Sequence, residues 1–164
     1  MKKLLILWFV LFTFSCKNEK EDITPGKWVI NKANEPGDNG KLLIDLPKET
    51  EWDITIYAAG STKVLSNTLL QKEFSLAPGN YDLETNHIWI KDVPVEKGNH
   101  TRLRAGVLRI PKKIPWTLYD SAKQTVLINS SSEATRGLPI GKYKLTIEEK
   151  DHDVEIKDGK TVKF

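Results

Sequence analysis

Apolar and polar residues alternate with a period of two along much of the chain. In residues 52–57, Trp52, Ile54 and Ile56 fall on one face of an extended segment, and polar residues fall on the other. Short segments of the same kind occur at residues 41–46, 81–83, 116–118 and 154–164. No long stretch combines helical periodicity with caps, and the best helical candidate, residues 66–73, is short and contains β-branched and turn-favouring residues. We therefore predict an all-β protein with the short, regularly spaced strands of a sandwich.

The end of the chain is predicted to form a hairpin. Apolar positions from Val154 to Phe164 alternate with polar ones on either side of a turn sequence at residues 157–160. Within that turn, Asp158-Gly159 favours a tight hairpin because both residues tolerate positive φ.

A block of sequence occurs twice. The pattern Leu-x-x-Gly-x-Tyr-x-Leu spans residues 76–83 and again residues 138–145. Further counterparts follow the same order: residues 40–44, 52–57 and 93–101 match residues 106–110, 116–119 and 154–161. Four ordered matches indicate an internal repeat, in which Trp52 and Trp116 are predicted to take equivalent positions.

The repeat divides the chain into two related β units. We predict the first at residues 24–105 and the second at residues 106–164, with the boundary around Ala105. Their glycine turn, tyrosine-containing strand and closing segment resemble the carboxypeptidase-regulatory-like and PEGA-type modules of bacterial surface proteins. The resemblance implies two small antiparallel β-sandwich units of the Ig-like or PEGA-like kind, and it transfers no catalytic residues.

The first residues have the pattern of an export signal. Lys2 and Lys3 precede an apolar run at residues 4–12, which is far shorter than the roughly 20 residues of a transmembrane helix. Ser15 then precedes Cys16, the only cysteine in the chain. This arrangement resembles the lipobox of Bacteroidota-type lipoproteins. The resemblance implies that residues 1–15 are removed as a signal peptide and that Cys16 carries thioether-linked lipid and an acyl chain such as palmitate. An ordinary signal peptide with an incidental cysteine is the alternative.

Residues 16–23 comprise the lipidated cysteine and a charged segment that cannot bury enough apolar surface to fold, so we predict a flexible tether. Residues 17–22 also resemble the acid-rich export signal that follows the cysteine of Bacteroidota surface lipoproteins, and a plain solvated linker is the other interpretation. Together these features predict a protein anchored by lipid in the outer membrane, with a surface-exposed location implied by the export signal.

The mature chain is nearly neutral. Residues 1–15 contain two lysines and no acidic residue, so their removal takes the net charge from +3 to about +1. A nucleic-acid binder needs a clustered basic face, so we expect no nucleic-acid partner.

No catalytic or metal-binding motif is visible. His87, His100 and His152 lack metal-ligand spacing, and the sequence contains no Gly-x-Ser-x-Gly nucleophile elbow. The acid-rich residues 148–153 are the one candidate for calcium, and a solvated hairpin tip is the favoured interpretation. We expect a protein that is not an enzyme and has no cofactor or metal.

The tryptophans and one serine are the remaining candidates for a functional surface. Trp89 shares a strand face with polar neighbours and is the first candidate for ligand binding, and Trp28 is the second, with core packing as the alternative for both. Trp52 and Trp116 have apolar neighbours and are predicted to be core residues. Ser121 lies in an Asp-Ser-Ala sequence that resembles the O-glycosylation motif of Bacteroidota, and a plain turn is the alternative.

These observations predict a non-enzymatic lipoprotein of the cell envelope. Its β-sandwich would present a binding or assembly surface to another envelope protein. The alternative is glycan capture by exposed tryptophan.

Overall fold

The computed structural model describes residues 27–69 and 71–164. The predicted signal peptide, the lipidation site at Cys16 and the tether lie outside the described residues. Within the described part of the chain there are strands and no helix, which confirms the predicted all-β class. Consequently, no helix there is long and apolar enough to cross a membrane.

Fifteen strands are present in the described residues. In chain order they are β1 Trp28–Lys32, β2 Gly40–Ile44, β3 Ile54–Ala58, β4 Val64–Thr68, β5 Glu73–Leu76, β6 Gly79–Thr85, β7 Ile88–Val95, β8 Asn99–Leu103, β9 Ala105–Ile110, β10 Trp116–Tyr119, β11 Val126–Ser130, β12 Ala134–Pro139, β13 Gly141–Ile147, β14 Lys150–Ile156 and β15 Thr161–Lys163.

The strands form four small sheets. Sheet 1 has the order β1-β8-β2-β5, sheet 2 has β4-β3-β6-β7, sheet 3 has β12-β9-β15 and sheet 4 has β11-β10-β13-β14. Sheets 3 and 4 repeat the connections of sheets 1 and 2, and β1 is the one described strand without a counterpart. Two pairs, β2 with β8 and β9 with β15, run parallel, while the other pairs are antiparallel. The prediction of purely antiparallel units is therefore wrong at these two places.

The predicted hairpin at the end of the chain is also wrong. β14 pairs with β13, whereas β15 crosses to another sheet and pairs with β9. The turn directs this crossing, because the N–H of Gly159 donates to the Ala105 carbonyl at 2.8 Å and the N–H of Val107 donates to the Lys160 carbonyl at 2.8 Å. Two strands that face one core from different sheets show the same alternation as the two strands of a hairpin. The sequence pattern therefore could not distinguish the crossing from a hairpin.

Strand pairing also corrects the predicted alignment of the tryptophans. Ile54 in β3 lies opposite Thr68, and Trp116 in β10 lies opposite Ser130. Since these two pairs are 62 positions apart in the sequence, Trp116 is the counterpart of Ile54 and not of Trp52.

Two clusters of buried side chains hold the sheets together. The first cluster is formed mainly by sheets 1 and 2, and the second by sheets 3 and 4. Trp52 in the first cluster and Trp116 in the second are almost completely buried, as predicted for core residues. The repeated tyrosines make the same hydrogen bond in both halves. The hydroxyl of Tyr81 donates to the Ala77 carbonyl at 2.6 Å, and that of Tyr143 donates to the Pro139 carbonyl at 2.8 Å.

The segment before β3 joins the first half of the chain to β12. The N–H of Glu51 donates to the Thr135 carbonyl at 3.0 Å, and the N–H of Gly137 donates to the Glu51 carbonyl at 2.8 Å. The Glu51 carboxylate also pairs with Arg136. The Trp52 ring then packs directly against Gly137. These contacts fix one half of the chain against the other.

Asp158 forms a second connection between the two halves. Its carboxylate accepts two hydrogen bonds from Arg102, at 3.0 and 2.8 Å, and one from the N–H of Ala105 at 3.3 Å. Arg104 Nε lies 3.5 Å away. The hydrogen bonds from Arg102 hold the pKa of Asp158 below its usual value, so the carboxylate stays charged at neutral pH.

The β13–β14 turn contains two residues in the left-handed region. Glu148 and Glu149 have φ values of 47° and 65°, a conformation that costs roughly 1–2 kcal/mol for a residue with a Cβ. We expect Glu149→Gly to raise the free energy of unfolding by about 1 kcal/mol, measured by urea denaturation. Glu149→Ala keeps the Cβ and is the matched control. If the glycine variant were no more stable than the alanine variant, the prediction would be wrong.

Candidate functional site

The outer face of sheet 2 carries an exposed aromatic pair. Trp89 on β7 is 42% exposed, while Ile90 beside it is buried in the core. The Tyr57 ring, on β3, lies with its centroid 5.2 Å from that of Trp89 at an interplanar angle of 33°. Because β6 runs between β3 and β7, the two rings meet across a strand and form one surface.

Lys91 lies over the same ring. Its Nζ is 4.0 Å from the ring centroid of Trp89 and 3.0 Å from Oδ2 of Asp82. Asp82 is buried and also accepts hydrogen bonds from the N–H groups of Asp92 and Gly60, both at 3.1 Å. Burial by itself would raise the pKa of Asp82, but these N–H donors and the ammonium together outweigh it and lower the pKa. A charged carboxylate therefore holds the ammonium over the indole, where the ring's negative face attracts it.

Glu84 completes the cluster. It lies opposite Trp89 in the β6–β7 ladder and accepts a hydrogen bond from the Tyr57 hydroxyl at 3.1 Å. Burial raises the pKa of Tyr57, and the hydrogen bond to Glu84 raises it further, so the hydroxyl stays neutral. His87 Nδ1 lies 3.8 Å from the same carboxylate. We name this group the Trp89 surface, and its members are Tyr57, Asp82, Glu84, Trp89 and Lys91.

The Trp89 surface offers several kinds of contact within a small area. The indole and phenol rings supply apolar area, Glu84 supplies a hydrogen-bond acceptor and Lys91 supplies a donor. A partner that presents both apolar and polar groups can contact all three. Part of the indole is already covered, because Lys91 and Tyr57 lie against it.

Trp28, the second predicted ligand-binding tryptophan, is not part of this surface. It lies at the start of β1 in sheet 1, whereas Trp89 belongs to sheet 2. Its side chain is half-buried and packs against the first core cluster.

Ser121 lies exposed in the β10–β11 turn, where the sequence placed it. The neighbouring Asp120 stabilises the turn. Its carboxylate accepts a hydrogen bond from the N–H of Gln124 at 2.8 Å, and its own N–H donates to the Thr125 carbonyl at 3.1 Å. The hydrogen bond from Gln124 lowers the pKa of Asp120. The turn is therefore built by Asp120 and leaves the Ser121 side chain accessible.

The predicted hairpin tip near residue 150 is rich in ion pairs. Asp151 pairs with Lys123 at 2.5 Å, and Asp153 pairs with Lys144 at 2.6 Å. Across residues 27–69 and 71–164, no group of three or more His, Cys, Asp or Glu side chains is placed to hold a metal ion.

The three histidines are dispersed over the molecule. His87 lies in the β6–β7 turn, His100 Nε2 is 2.9 Å from Oε1 of Glu35, and His152 meets Phe164 edge-on with ring centroids 5.3 Å apart. Each has a partner of its own, and the three do not converge.

Sequence reasoning identified Trp89 but missed its partners. Tyr57 and Asp82 come from different strands, and only the order β3-β6-β7 brings them beside Trp89. No signal for them was present in the sequence, because Asp82 alternates regularly with Tyr81 and Leu83 and only the structure shows that it is buried. A charged residue in a buried strand needs partners that satisfy it.

Comparison with known proteins places the chain in no established class. No protein-family model matches it, and a search of curated proteins finds no match. A solved structure described as "The Bacillus anthracis TIE protein" is similar, with a TM-score of 0.34 and 18% sequence identity. The similarity covers 76% of this chain and 33% of that one, so this chain spans about a third of its length.

Proposed function

We propose that this chain is a non-enzymatic lipoprotein of the bacterial cell envelope that presents a rigid β surface to a partner protein. The observation that supports the proposal is the Trp89 surface. Tryptophan and tyrosine beside charged groups are typical of the residues that dominate protein–protein binding energy. Here both rings are held in place by neighbours, so binding would cost little side-chain entropy.

We infer that the scaffold consists of two related β-sandwiches, residues 24–105 and 106–164. Four small sheets are also compatible with a four-bladed propeller-like arrangement, in which successive blades pack around a central axis. The separate cores favour sandwiches, because sheets 1 and 2 share one cluster and sheets 3 and 4 share the other. The boundary falls near Ala105, the one β9 residue that joins the first cluster.

The proposed anchor is lipid on Cys16, with residues 16–23 as the tether to the outer membrane. Stable anchoring would need more than one acyl chain, because a single chain binds only marginally. Protease treatment of intact cells tests the location: loss of the protein would place it on the surface, and protection, with a periplasmic control intact, would place it inside.

We expect Trp89→Ala to weaken partner binding by about 2 kcal/mol, roughly a thirtyfold loss of affinity, because the exposed indole is the centre of the surface. Wild-type protein and the variant would each be used to capture proteins from solubilised envelopes, with quantification by mass spectrometry. Val29→Ala, a change at an exposed apolar position on β1 in sheet 1, serves as the control. A protein retained equally by wild type and Trp89→Ala would not be a partner of this surface.

The second proposed function is glycan binding at the same place. It is favoured by the exposed indole and by the Glu84 carboxylate, which can accept hydrogen bonds from sugar hydroxyls. The difference in fluorescence between wild type and Trp89→Phe isolates the signal of Trp89 from that of the other tryptophans. Quenching of that difference signal by an oligosaccharide would support glycan binding, and no response across a glycan panel would exclude it.

A further inference from the structure

A cleft at the junction of the two halves has walls from both. Six residues of the first half line it: Asp53, Thr55, Leu69, Glu84, Asn86 and His87. Leu127 and Ile128 from β11 and Arg136 from β12 lie across from them and leave a cleft of about 250 Å³.

All of these positions except that of Leu69 have counterparts in the second half that line an open groove. Their counterparts, 62 residues later, are Pro115, Thr117, Thr146, Glu148 and Glu149, and together with Trp116 they surround about 500 Å³. The lining of this groove includes no counterpart of Leu127 or Arg136.

One apolar residue that would close such a groove is exposed in the first half, whereas Phe74, the counterpart of Arg136, is buried. Leu65 in β4 is the counterpart of Leu127, yet it is 45% exposed while Leu127 is 7% exposed. Val64 beside it is also an exposed apolar side chain. In addition, β5 is an edge strand of sheet 1. The matching edge of its counterpart β12 forms a β-bridge with Glu51 through Arg136.

We propose that the open groove on the second half binds the β4–β5 edge of a second copy of this chain. The contact would repeat, between two molecules, the junction that already joins the two halves of one molecule. Such a head-to-tail contact uses different patches on the two copies, so it allows further copies to be added. The proposal goes beyond the Trp89 surface and does not depend on it.

Charge complementarity supports a second copy as the occupant. Lys113 is the counterpart of Glu51, and Glu73 is the counterpart of Thr135, whose backbone carbonyl accepts a hydrogen bond from the Glu51 N–H. The repeated contact would therefore bring Lys113 beside the exposed Glu73 of the second copy. The groove is also acidic, because Glu148 and Glu149 line it. Lys63 of the second copy lies two positions before Leu65 and supplies the opposite charge.

The sizes of the side chains also allow the repeated contact between two copies. Within one chain the large Trp52 ring packs on Gly137, where no Cβ could fit. In the repeated contact the counterparts are Ile114 and Ser75 of the second copy. The smaller isoleucine leaves the room that the serine Cβ requires.

The counterparts of the second connection have like charges, and a neighbouring carboxylate lies beside one of them. Arg102 corresponds to Lys163, and Asp158 corresponds to Lys97, which would place two lysines together. However, Lys97 carries its own carboxylate partner, Asp38, at 2.6 Å, and that carboxylate is 95% exposed. In the repeated contact, the Asp38 carboxylate would then lie between two lysines, Lys97 of its own copy and Lys163 of the other.

Photo-crosslinking in cells tests the proposal on the full-length protein. A photoreactive amino acid at position 65 is expected to give a crosslinked dimer, with the crosslink mapped by mass spectrometry to residues 113–117 or 146–149 of the other copy. The same amino acid at Val29, an exposed apolar position on β1, is the matched control and should give no dimer. No dimer from position 65, a dimer mapped elsewhere, or a crosslink only to another protein would overturn the proposal.

Charge reversal separates a specific contact from misfolding. Lys63→Glu and Glu149→Lys are each expected to lower the yield of dimer roughly fivefold or more, and the double variant should recover it. A dimer that neither reversal weakens would contradict the proposal. Trp89→Ala should leave the dimer unchanged, so failure of this contact and failure of the Trp89 surface are distinguishable.

Discussion

Gly137→Val is expected to lower the free energy of unfolding by about 3 kcal/mol, because β12 approaches the Trp52 ring too closely for any side chain. A Cβ added at Gly137 would lie 2.6 Å from Cδ1 of Leu46 and closer still to Cε3 of Trp52. Trp52 is completely buried and has no space to retreat. The strand cannot move away either, since Gly137 donates to the Glu51 carbonyl at 2.8 Å.

Urea denaturation of Gly137→Val beside Ser75→Val would measure this effect. Ser75 is the counterpart of Gly137 in the first half and is exposed on the edge strand β5, so its change should cost little. Combining Gly137→Val with Trp52→Leu should cost less than the sum of the two single changes, because a smaller residue vacates the space. Wild-type stability for Gly137→Val would show that Trp52 and β12 do not pack in this way in solution.

Asp158→Asn is expected to cost about 2 kcal/mol at neutral pH, because it removes the charge that accepts two hydrogen bonds from Arg102. The pKa of Asp158 is lowered in the folded protein, so its contribution to stability is present above the ordinary value of 3.8 and is lost as pH falls through the folded pKa. The difference between wild type and Asp158→Asn should therefore be largest near pH 7 and shrink below about pH 4.

Urea denaturation of both proteins from pH 7 down to pH 2.5 would show this convergence. Asp38→Asn is the matched control, because Asp38 also pairs with a cation but is 95% exposed, and exposed ion pairs contribute little. A constant difference between Asp158→Asn and wild type at every pH would mean that the loss comes from packing and not from charge.

The local features of the fold were predictable from the sequence because they depend on neighbouring residues. Alternation marked Trp52, Ile54 and Ile56 as one buried face, and all three are buried. The two matching tyrosine patterns predicted the repeat, and Tyr81 and Tyr143 make the same hydrogen bond in the two halves. The sequence also singled out Trp89 as the tryptophan with polar neighbours.

Features that depend on strands distant in sequence could not be predicted. The alternation around Asp158 gave no sign that β15 pairs with β9, because a strand that crosses to another sheet has the same pattern as one that turns back. The neighbours of Trp89 were likewise hidden, since Tyr57 reaches it only through the order of strands in sheet 2.

By itself, then, the sequence determined the all-β class, the repeat and the main buried positions, because period-two alternation and turn residues act over a few neighbouring positions. Only the tertiary structure decided which strands pair and which side chains meet, such as Trp52 and Gly137. It also showed that the cleft between the two halves has an open counterpart on the second unit. These outcomes follow from the packing of segments far apart in the chain, where shape and charge must fit in three dimensions and no local pattern records the partner.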